Sequence, residues 1–199
     1  MGRIILVRHG QTNRNAVGEI HTVDDPEVLN GVGIEQIKKA AKKVKEFSPV
    51  KIYTSKTKRA VDSAELMSKL LGLKLETVSG IEERNWGDLA GQKWDNIEKI
   101  LQSMTAEERY LYLPPNGETW QDCEGRLIKA INDLALKNEN ETILVVTHSG
   151  VIRMLMPCLL GVPREESYKY SPDNASLTIF DHNNGKFSLV SYNNTEHLK

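Results

Sequence analysis

The chain has no apolar stretch long enough to span a membrane, and it contains only two cysteines. Cys123 and Cys158 both fall within apolar helical patterns, which favours buried, reduced thiols over a disulfide. The net charge of -1 at pH 7 creates no general attraction to nucleic acid or to an anionic membrane, so we expect neither as a partner. The apolar run near the first residue is too short for a signal peptide, and we therefore expect a cytoplasmic protein.

Familiar motifs for metal and nucleotide chemistry are also missing. No His-Glu-x-x-His or paired-cysteine spacing is present, although His9, His148, Glu82 and Glu83 offer atoms that could bind a metal. The serine after His148 lacks the Gly-x-Ser-x-Gly context of an acyl hydrolase. No glycine-rich dinucleotide or phosphate-binding loop follows a predicted strand. We expect an enzyme without metal or cofactor, in which any anion is bound by side chains and backbone amides.

What the sequence does contain is an alternation of strand and helix patterns. The apolar, β-rich runs predict strands over residues 3–8, 50–54, 73–78 and 142–147, and a closing hairpin over 176–181 and 186–192. The helical periodicity predicts helices over 33–47, 56–71, 118–136 and from about 149. This order predicts an α/β fold: a three-layer α/β/α sandwich with a mostly parallel mixed sheet, to which the hairpin adds an antiparallel edge.

Two segments depart from regular patterns. Pro157 lies within the last predicted helix and is expected to kink it or end it early. The stretch 80–117 fits neither the helical nor the strand period well, and its length is typical of a lid or another functional insertion. We predict one domain over residues 1–199, with a lid-like insertion at about 80–117.

Three predicted strand-to-helix junctions carry polar side chains of related chemistry. Ser55 and Ser149 stand where they could cap the helices that follow. If the three strands are parallel neighbours, the junctions meet at one sheet edge, where helix N-termini add amide donors. The side chains expected to converge there are two guanidiniums and two imidazoles: Arg8, Arg59, His9 and His148. Such a set favours a tetrahedral phosphate dianion as ligand.

Five segments in order closely resemble the histidine phosphatase superfamily, in its phosphoglycerate-mutase-like branch. They are LVRHGQT, SKTKRA, EERNWGDLAG, PNGET and VVTHSGVIR, which together span residues 6 to 153. The first motif alone is short, whereas five motifs in this order are highly specific. The resemblance implies a phosphoglycerate-mutase-like fold and phosphoryl transfer through a phosphohistidine.

The resemblance also implies a role for each matching residue. His9 matches the nucleophile, and a neutral imidazole is a good nucleophile near pH 7. Arg8 and Arg59 match the phosphate-binding arginines, and His148 matches the second histidine, which hydrogen-bonds the phosphoryl group. Glu83, four residues before Gly87, matches the proton donor and is chosen over its neighbour Glu82 for that spacing.

Further residues are expected around the substrate. Asn15 matches a side chain that contacts phosphate, Gln11 replaces the commoner glutamate after the first motif, and Ser149 replaces a common glycine. Glu118 starts a helix in the matching motif, so we interpret it as structural. The expected pocket walls are Ile20, His21, Trp86 and the segment 101–113 with Met104, Tyr110 and Tyr112. A small phosphorylated molecule is the expected partner, and the sequence does not indicate an oligomeric state.

Three functions compete within this resemblance. A phosphatase transfers the phosphoryl group to water, whereas a mutase returns it to another hydroxyl of the substrate. The chain has Arg84 and Arg109 between its central motifs but no adjacent Arg-Arg pair, which mutases use to hold a carboxylated substrate. We therefore predict a phosphatase for a small phosphomonoester, with the mutase as the alternative. A non-enzymatic phospholigand-binding domain ranks lowest because all five core residues are present. Sugar phosphates, phosphoglycerate, phosphoserine and α-ribazole phosphate all remain open as substrates.

Overall fold

A mixed sheet with helices on both faces forms the centre of the protein in a computed structural model that describes residues 1–22 and 24–199. Within these residues the sheet has six strands, in the spatial order β3-β2-β4-β1-β5-β6. Their bounds are Gly2–Arg8 (β1), Lys51–Thr54 (β2), Lys74–Thr77 (β3), Thr142–Thr147 (β4), Leu177–Asn183 (β5) and Lys186–Asn194 (β6). Four neighbouring strands are parallel, and β5 and β6 form the antiparallel edge. The predicted fold class is confirmed.

Helices follow the strands in the expected alternation. Their bounds are Asn13–Val17 (α1), Gly31–Val44 (α2), Lys58–Leu71 (α3), Trp94–Gln102 (α4), Ala106–Leu111 (α5), Trp120–Lys137 (α6) and Ser149–Leu160 (α7). Short 3-10 turns are at Lys45–Phe47, Gly87–Leu89, Arg164–Lys169 and Glu196–Leu198. Among the described residues, none of these helices is both long and apolar enough to cross a membrane.

Strand β1 shows why the sheet is covered on both sides. Its residues alternate between two cores: Ile4 and Leu6 pack with the apolar faces of α6 and α7. Ile5 and Val7 pack with those of α2 and α3. All four side chains are at most 1% exposed. A strand that is apolar at successive positions needs a helix layer on each face, which explains the continuous run in the sequence.

The register of the central strands aligns the C-terminal ends of β1, β2 and β4 at one edge of the sheet. Arg8 at the end of β1 pairs with Thr147 at the end of β4. Thr54 at the end of β2 pairs with Val146 of β4. The loops after β1, β2 and β4 therefore leave the sheet side by side, as expected for a ligand site at the carboxyl ends of parallel strands.

Pro157 lies inside α7, which continues for three more residues to Leu160. The stretch 80–117 contains the short helices α4 and α5, whose few turns do not stand out in the sequence, and its role as a lid stays a prediction. Two helix-cap predictions need correction. Ser55 is not the cap of α3, which begins after Thr57, and Ser149 is the first residue of α7 rather than its cap. Cys123 and Cys158 are free thiols, as predicted.

Candidate active site

The three loops enclose a cavity of about 290 Å³ at the carboxyl edge of the sheet. It is lined by most of the predicted site residues, namely Arg8, His9, Asn15, His21, Arg59, Glu83, Trp86 and Ser149. His148 lies directly beside it, with its ring centroid 5.3 Å from that of His9. The convergence that the sequence implied is therefore present in the structure.

His9 is held in one tautomer by its own loop. Its Nδ1 lies 2.8 Å from the carbonyl oxygen of Gly10, and because a carbonyl only accepts, Nδ1 must carry the proton. The Nε2 lone pair is then free to attack. The ring is 3% exposed, and burial, followed by the charges of Arg59 and Arg8, holds the pKa of His9 well below its usual range. His9 is thus neutral at pH 7, as a nucleophile must be.

His148 is anchored from the neighbouring strand's loop. Its Nε2 lies 2.8 Å from the Ser55 hydroxyl and 3.2 Å from that of Thr57. Its buried Nδ1 has no hydrogen-bond partner among the described residues. When Ser55 donates to Nε2, Nδ1 carries a proton that is left for a ligand oxygen. Burial, with the nearby Arg59 charge, lowers the pKa of His148 well below its usual range.

Two buried arginines supply the positive charge. Arg59, in the first turn of α3, is only 1% exposed, and its Nε and Nη1 contact no acceptor in the part of the chain that the structure describes. Arg8 donates from Nη1 to the carbonyl of Pro172 over 2.8 Å. Burial lowers the pKa of Arg8 to about 10, so Arg8 stays charged at pH 7, and burial also lowers the pKa of Arg59. Buried guanidiniums with free donors favour an anionic ligand.

The structure separates the two adjacent glutamates. Glu83 lines the cavity, and its carboxylate accepts the backbone N–H groups of Arg84 and Gly150, each over 3.0 Å. Glu82 turns away from this cavity and accepts the N–H of Gly80 over 2.7 Å. Gly150 lies so close that a Cβ at this position would overlap the Glu83 carboxylate. The glycine after Ser149 therefore makes room for the acid.

The remaining predicted contacts divide into two groups. Asn15 lines the cavity while its Oδ1 accepts the Asn174 amide over 3.2 Å. His21 lies edge-on to His9 at 6.0 Å, and burial lowers its pKa to about 4. Gln11 is not among the residues that line the cavity, because its side-chain oxygen accepts from Asn30 over 3.0 Å. The hydrogen bond to Asn30, the N-cap of α2, holds the Gln11 side chain at the start of that helix.

The pocket walls were predicted only in part. Ile20, His21 and Trp86 line the cavity as expected. Of the segment 101–113, Leu101 is the residue that lines it among the described residues. Met104 and Tyr112 do not line the cavity but pack behind it, in the apolar cluster that contains the wall residues Trp86 and Leu101, and Tyr110 donates its hydroxyl to Glu124 over 3.0 Å. The walls that sequence reasoning missed include Trp94, Trp120, Arg153, Met154, Tyr168 and Ser171. Arg153 is a charged residue on α7, and its place in the sequence alone does not distinguish it from a solvated surface charge.

Within residues 1–22 and 24–199, no three histidine, cysteine or carboxylate side chains cluster in a way that could hold a metal ion. The positive charge that faces the cavity comes from guanidiniums, among them those of Arg8, Arg59 and Arg153.

The site at the edge of this α/β/α sandwich places a neutral histidine, held in one tautomer, among buried guanidiniums. This arrangement favours phosphoryl transfer through that histidine. The family model of the histidine phosphatase superfamily (branch 1) matches residues 4–195, and the chain belongs to this family. It is accordingly a phosphomonoester hydrolase that works through a phosphohistidine.

Comparison with known proteins agrees with the family assignment. The chain is 32% identical over 201 residues to a metal-independent phosphoserine phosphatase of Arabidopsis thaliana, covering 98% of this chain and 82% of that protein. It is 32% identical over 180 residues to a 2,3-bisphosphoglycerate-dependent phosphoglycerate mutase of Bartonella tribocorum, covering 83% and 85%. The crystal structure of a histidine-to-alanine variant of phosphoserine phosphatase from Entamoeba histolytica, in complex with phosphoserine, matches with a TM-score of 0.87 and 26% identity over the full length of both chains.

Proposed function

We propose that the protein hydrolyses a small phosphomonoester that also carries a carboxylate, with His9 as nucleophile and Glu83 as acid and base. In the first step Nε2 of His9 bonds to phosphorus while the bond to the ester oxygen breaks. The leaving oxygen keeps that electron pair and takes a proton from Glu83. In the second step the Glu83 carboxylate removes a proton from water, the water oxygen bonds to phosphorus, and His9 is released together with inorganic phosphate.

The observation that carries this proposal is the fixed tautomer of His9. Its Nδ1 is committed to the Gly10 carbonyl, and Nε2 shares the cavity with Arg8, Arg59 and Glu83. Phosphoryl transfer needs positioning and stabilisation of charge on the equatorial oxygens. The guanidiniums and Nδ1 of His148 supply donors for those oxygens.

Arg153 supports a carboxylate on the substrate. It lines the same cavity, and its Nε donates to the carbonyl of Tyr170 over 2.9 Å. Its guanidinium lies over the Trp94 ring at 5.2 Å. Among the described residues no carboxylate lies within ion-pair distance of Arg153, which leaves the charge for a ligand. The phosphoserine phosphatases among the relatives fit this chemistry.

Three substrates test the carboxylate directly. Phosphoserine and phosphoethanolamine differ only by the carboxylate, and phosphoglycerate keeps the carboxylate while it replaces the amine by a hydroxyl. We expect phosphoserine and phosphoglycerate to be cleaved with a higher kcat/KM than phosphoethanolamine. Arg153→Gln should narrow that difference by about tenfold or more, since a charge-assisted contact is lost. An equal kcat/KM for all three compounds in the wild-type enzyme would contradict the carboxylate assignment.

The covalent step is tested by rapid quenching. Incubation with substrate should leave acid-labile, base-stable phosphate on the peptide that contains His9, and His9→Ala should abolish turnover.

A second experiment measures the hydrolysis rate after treatment with a strong chelator. We expect an unchanged rate because the proposed cations are side chains. Product analysis by NMR with phosphoglycerate separates the two reactions: free phosphate supports the phosphatase, whereas an isomerised phosphoglycerate supports the mutase. A cytoplasmic location stays a prediction from the sequence.

A further inference from the structure

Glu83 lies in a segment that has no regular structure of its own. Residues 78–86, which we name the Glu83 loop, contain no helix or strand residue between β3 and the turn at Gly87–Leu89. A loop without a hydrogen-bond ladder does not by itself hold a carboxylate to a fraction of an ångström. The position of Glu83 must therefore be fixed by contacts from outside the loop.

One guanidinium makes three of those contacts, all to the backbone carbonyls around Glu83. Arg126, on α6, donates from Nη1 to the carbonyl of Gly80 over 3.1 Å and to that of Glu82 over 2.9 Å. Its Nη2 donates to the carbonyl of Glu83 itself over 3.2 Å. A single rigid fork thus fastens three carbonyls of the loop to a long helix. Arg126 does not line the cavity of His9, so it acts from behind the loop.

Glu118 completes the attachment on the other side of Glu83. Its Oε2 accepts from Arg126 Nε over 3.0 Å, and its Oε1 accepts from Arg126 Nη2 over 2.5 Å. The same Oε1 accepts the backbone N–H of Asn85 over 2.8 Å. The bidentate pair is partly buried and charge-assisted, which gives it both strength and a fixed geometry.

We propose that Arg126 and Glu118 are positioning residues, which place the Glu83 carboxylate for proton transfer without touching the substrate. The inference rests on the proposed function of Glu83 as acid and base. Its physical basis is that a displacement of about 1 Å at a reacting group can lower a rate by about a hundredfold. Loss of the fork should therefore impair the steps that need Glu83 and spare the attack by His9.

The test compares leaving groups. An alkyl phosphate such as phosphoserine leaves as a basic alkoxide that needs a proton, whereas para-nitrophenyl phosphate leaves as a stabilised anion. Arg126→Met keeps the aliphatic stem and removes the fork. We expect it to lower kcat for phosphoserine by about ten- to a hundredfold with a change in KM of less than about threefold. The burst with para-nitrophenyl phosphate, which reports phosphorylation of His9, should change by less than about threefold. Glu118→Gln should show the same pattern in weaker form, and Arg126→Lys, which keeps the charge without the fork, should not restore the rate.

A double variant distinguishes positioning from general destabilisation. In the Glu83→Gln background the acid is already lost, so adding Arg126→Met should leave the phosphoserine rate almost unchanged. An additional loss there, or an equal loss with both substrates in the single variant, would overturn the proposal. Lys129→Met is the matched control, because Lys129 is an exposed residue of α6 that pairs with Asp133.

A crystal structure of the Arg126→Met or Glu118→Gln variant gives a readout that does not depend on turnover. We expect the 3.0 Å contact between the Glu83 carboxylate and the Gly150 N–H to be broken. An unchanged contact refutes the positioning role even if the enzyme is inactive. Failure of the wild-type enzyme to release phosphate from any substrate would instead count against the proposed function.

Discussion

The Nδ1 atom of His9 donates to the carbonyl oxygen of Gly10 over 2.8 Å, a hydrogen bond between adjacent residues. This contact determines which nitrogen of the ring attacks. The loop packs closely against α2 at the next residue: a Cβ at Gly10 would overlap the backbone of Gly33. The nucleophile is therefore oriented by its own loop, which is pressed against the next helix.

The two adjacent glutamates should differ sharply in function. Glu83→Gln keeps the size of the side chain and removes the titratable proton, so it should slow phosphoserine cleavage by about a hundredfold or more. The burst with para-nitrophenyl phosphate should be nearly spared. Glu82→Gln, the matched control, should change either rate by less than about threefold. A leaving-group effect in Glu82→Gln and none in Glu83→Gln would show that the motif register is off by one residue.

Gly150→Ala should reduce activity without reducing stability. The added methyl group would overlap the Glu83 carboxylate, and the flexible end of Glu83 can swing away from it. Because Gly150 lies within α7, alanine should favour the helix by up to about 1 kcal/mol. We expect an unchanged or higher Tm together with the leaving-group pattern of Glu83→Gln. Gly125→Ala on α6 is the control, since a Cβ there meets nothing within 4 Å. Equal activity in Gly150→Ala and Gly125→Ala would contradict the role of Gly150 in leaving room for the Glu83 carboxylate.

Arg59→Ala should weaken catalysis more than folding. Arg59 brings a buried charge with free donors to the cavity, so its loss removes a charge-assisted contact to phosphate. We expect kcat/KM to fall by an amount that corresponds to about 2–4 kcal/mol, with a retained cooperative unfolding transition. Lys58→Ala, next to it on α3, removes an exposed ion pair with Asp62 and serves as the control. A folded Arg59→Ala enzyme with the wild-type kcat/KM would contradict a contact between Arg59 and the phosphate.

Stability should fall as the pH is lowered from about 7 towards 5.5. The pKa of His9 and of His148 lies well below the usual range because of burial, and that of His21 is about 4. Below about pH 6.5 the unfolded chain binds protons that the folded protein does not, so the free energy of unfolding decreases with acid. At pH 5.5 each fully buried histidine accounts for about 1.4 kcal/mol at most.

Urea unfolding at several pH values measures this effect. His9→Asn should reduce the slope of the unfolding free energy against pH, since it removes one of the buried histidines whose pKa is lowered. Saturating vanadate, an anion that favours the charged imidazoles, should offset part of the loss at low pH. Stability that stays constant or rises between pH 7 and pH 5.5 would contradict the burial of neutral histidines.

The sequence alone predicted a mostly parallel mixed sheet and the side chains at the centre of the site. The apolar run before Arg8 and the run before His148 end in polar residues at the same relative position, and parallel pairing of β1 with β4 then requires the two imidazoles to meet. The choice of Glu83 over Glu82 followed from the family resemblance, in which the acid lies four residues before the glycine that is Gly87 here, and the structure places Glu83 alone of the two in the cavity. The periodic burial of strands and helices is a local property, which is why it can be predicted from the sequence.

The tertiary structure decided what depends on contacts between distant segments. Ser55 reads as a helix cap from its neighbours, but it hydrogen-bonds His148, which is 93 residues away in the sequence. Gln11 is expected near the substrate from its motif, but its side-chain oxygen accepts a hydrogen bond from Asn30. Arg126 and Arg153 carry no local signal of their roles, since a charged residue on a helix is usually solvated. The sequence determines which side chains are present and on which face of a strand or helix each one lies. The hydrogen-bond partner of each side chain depends on which distant segment packs against it, and only the tertiary structure decides that.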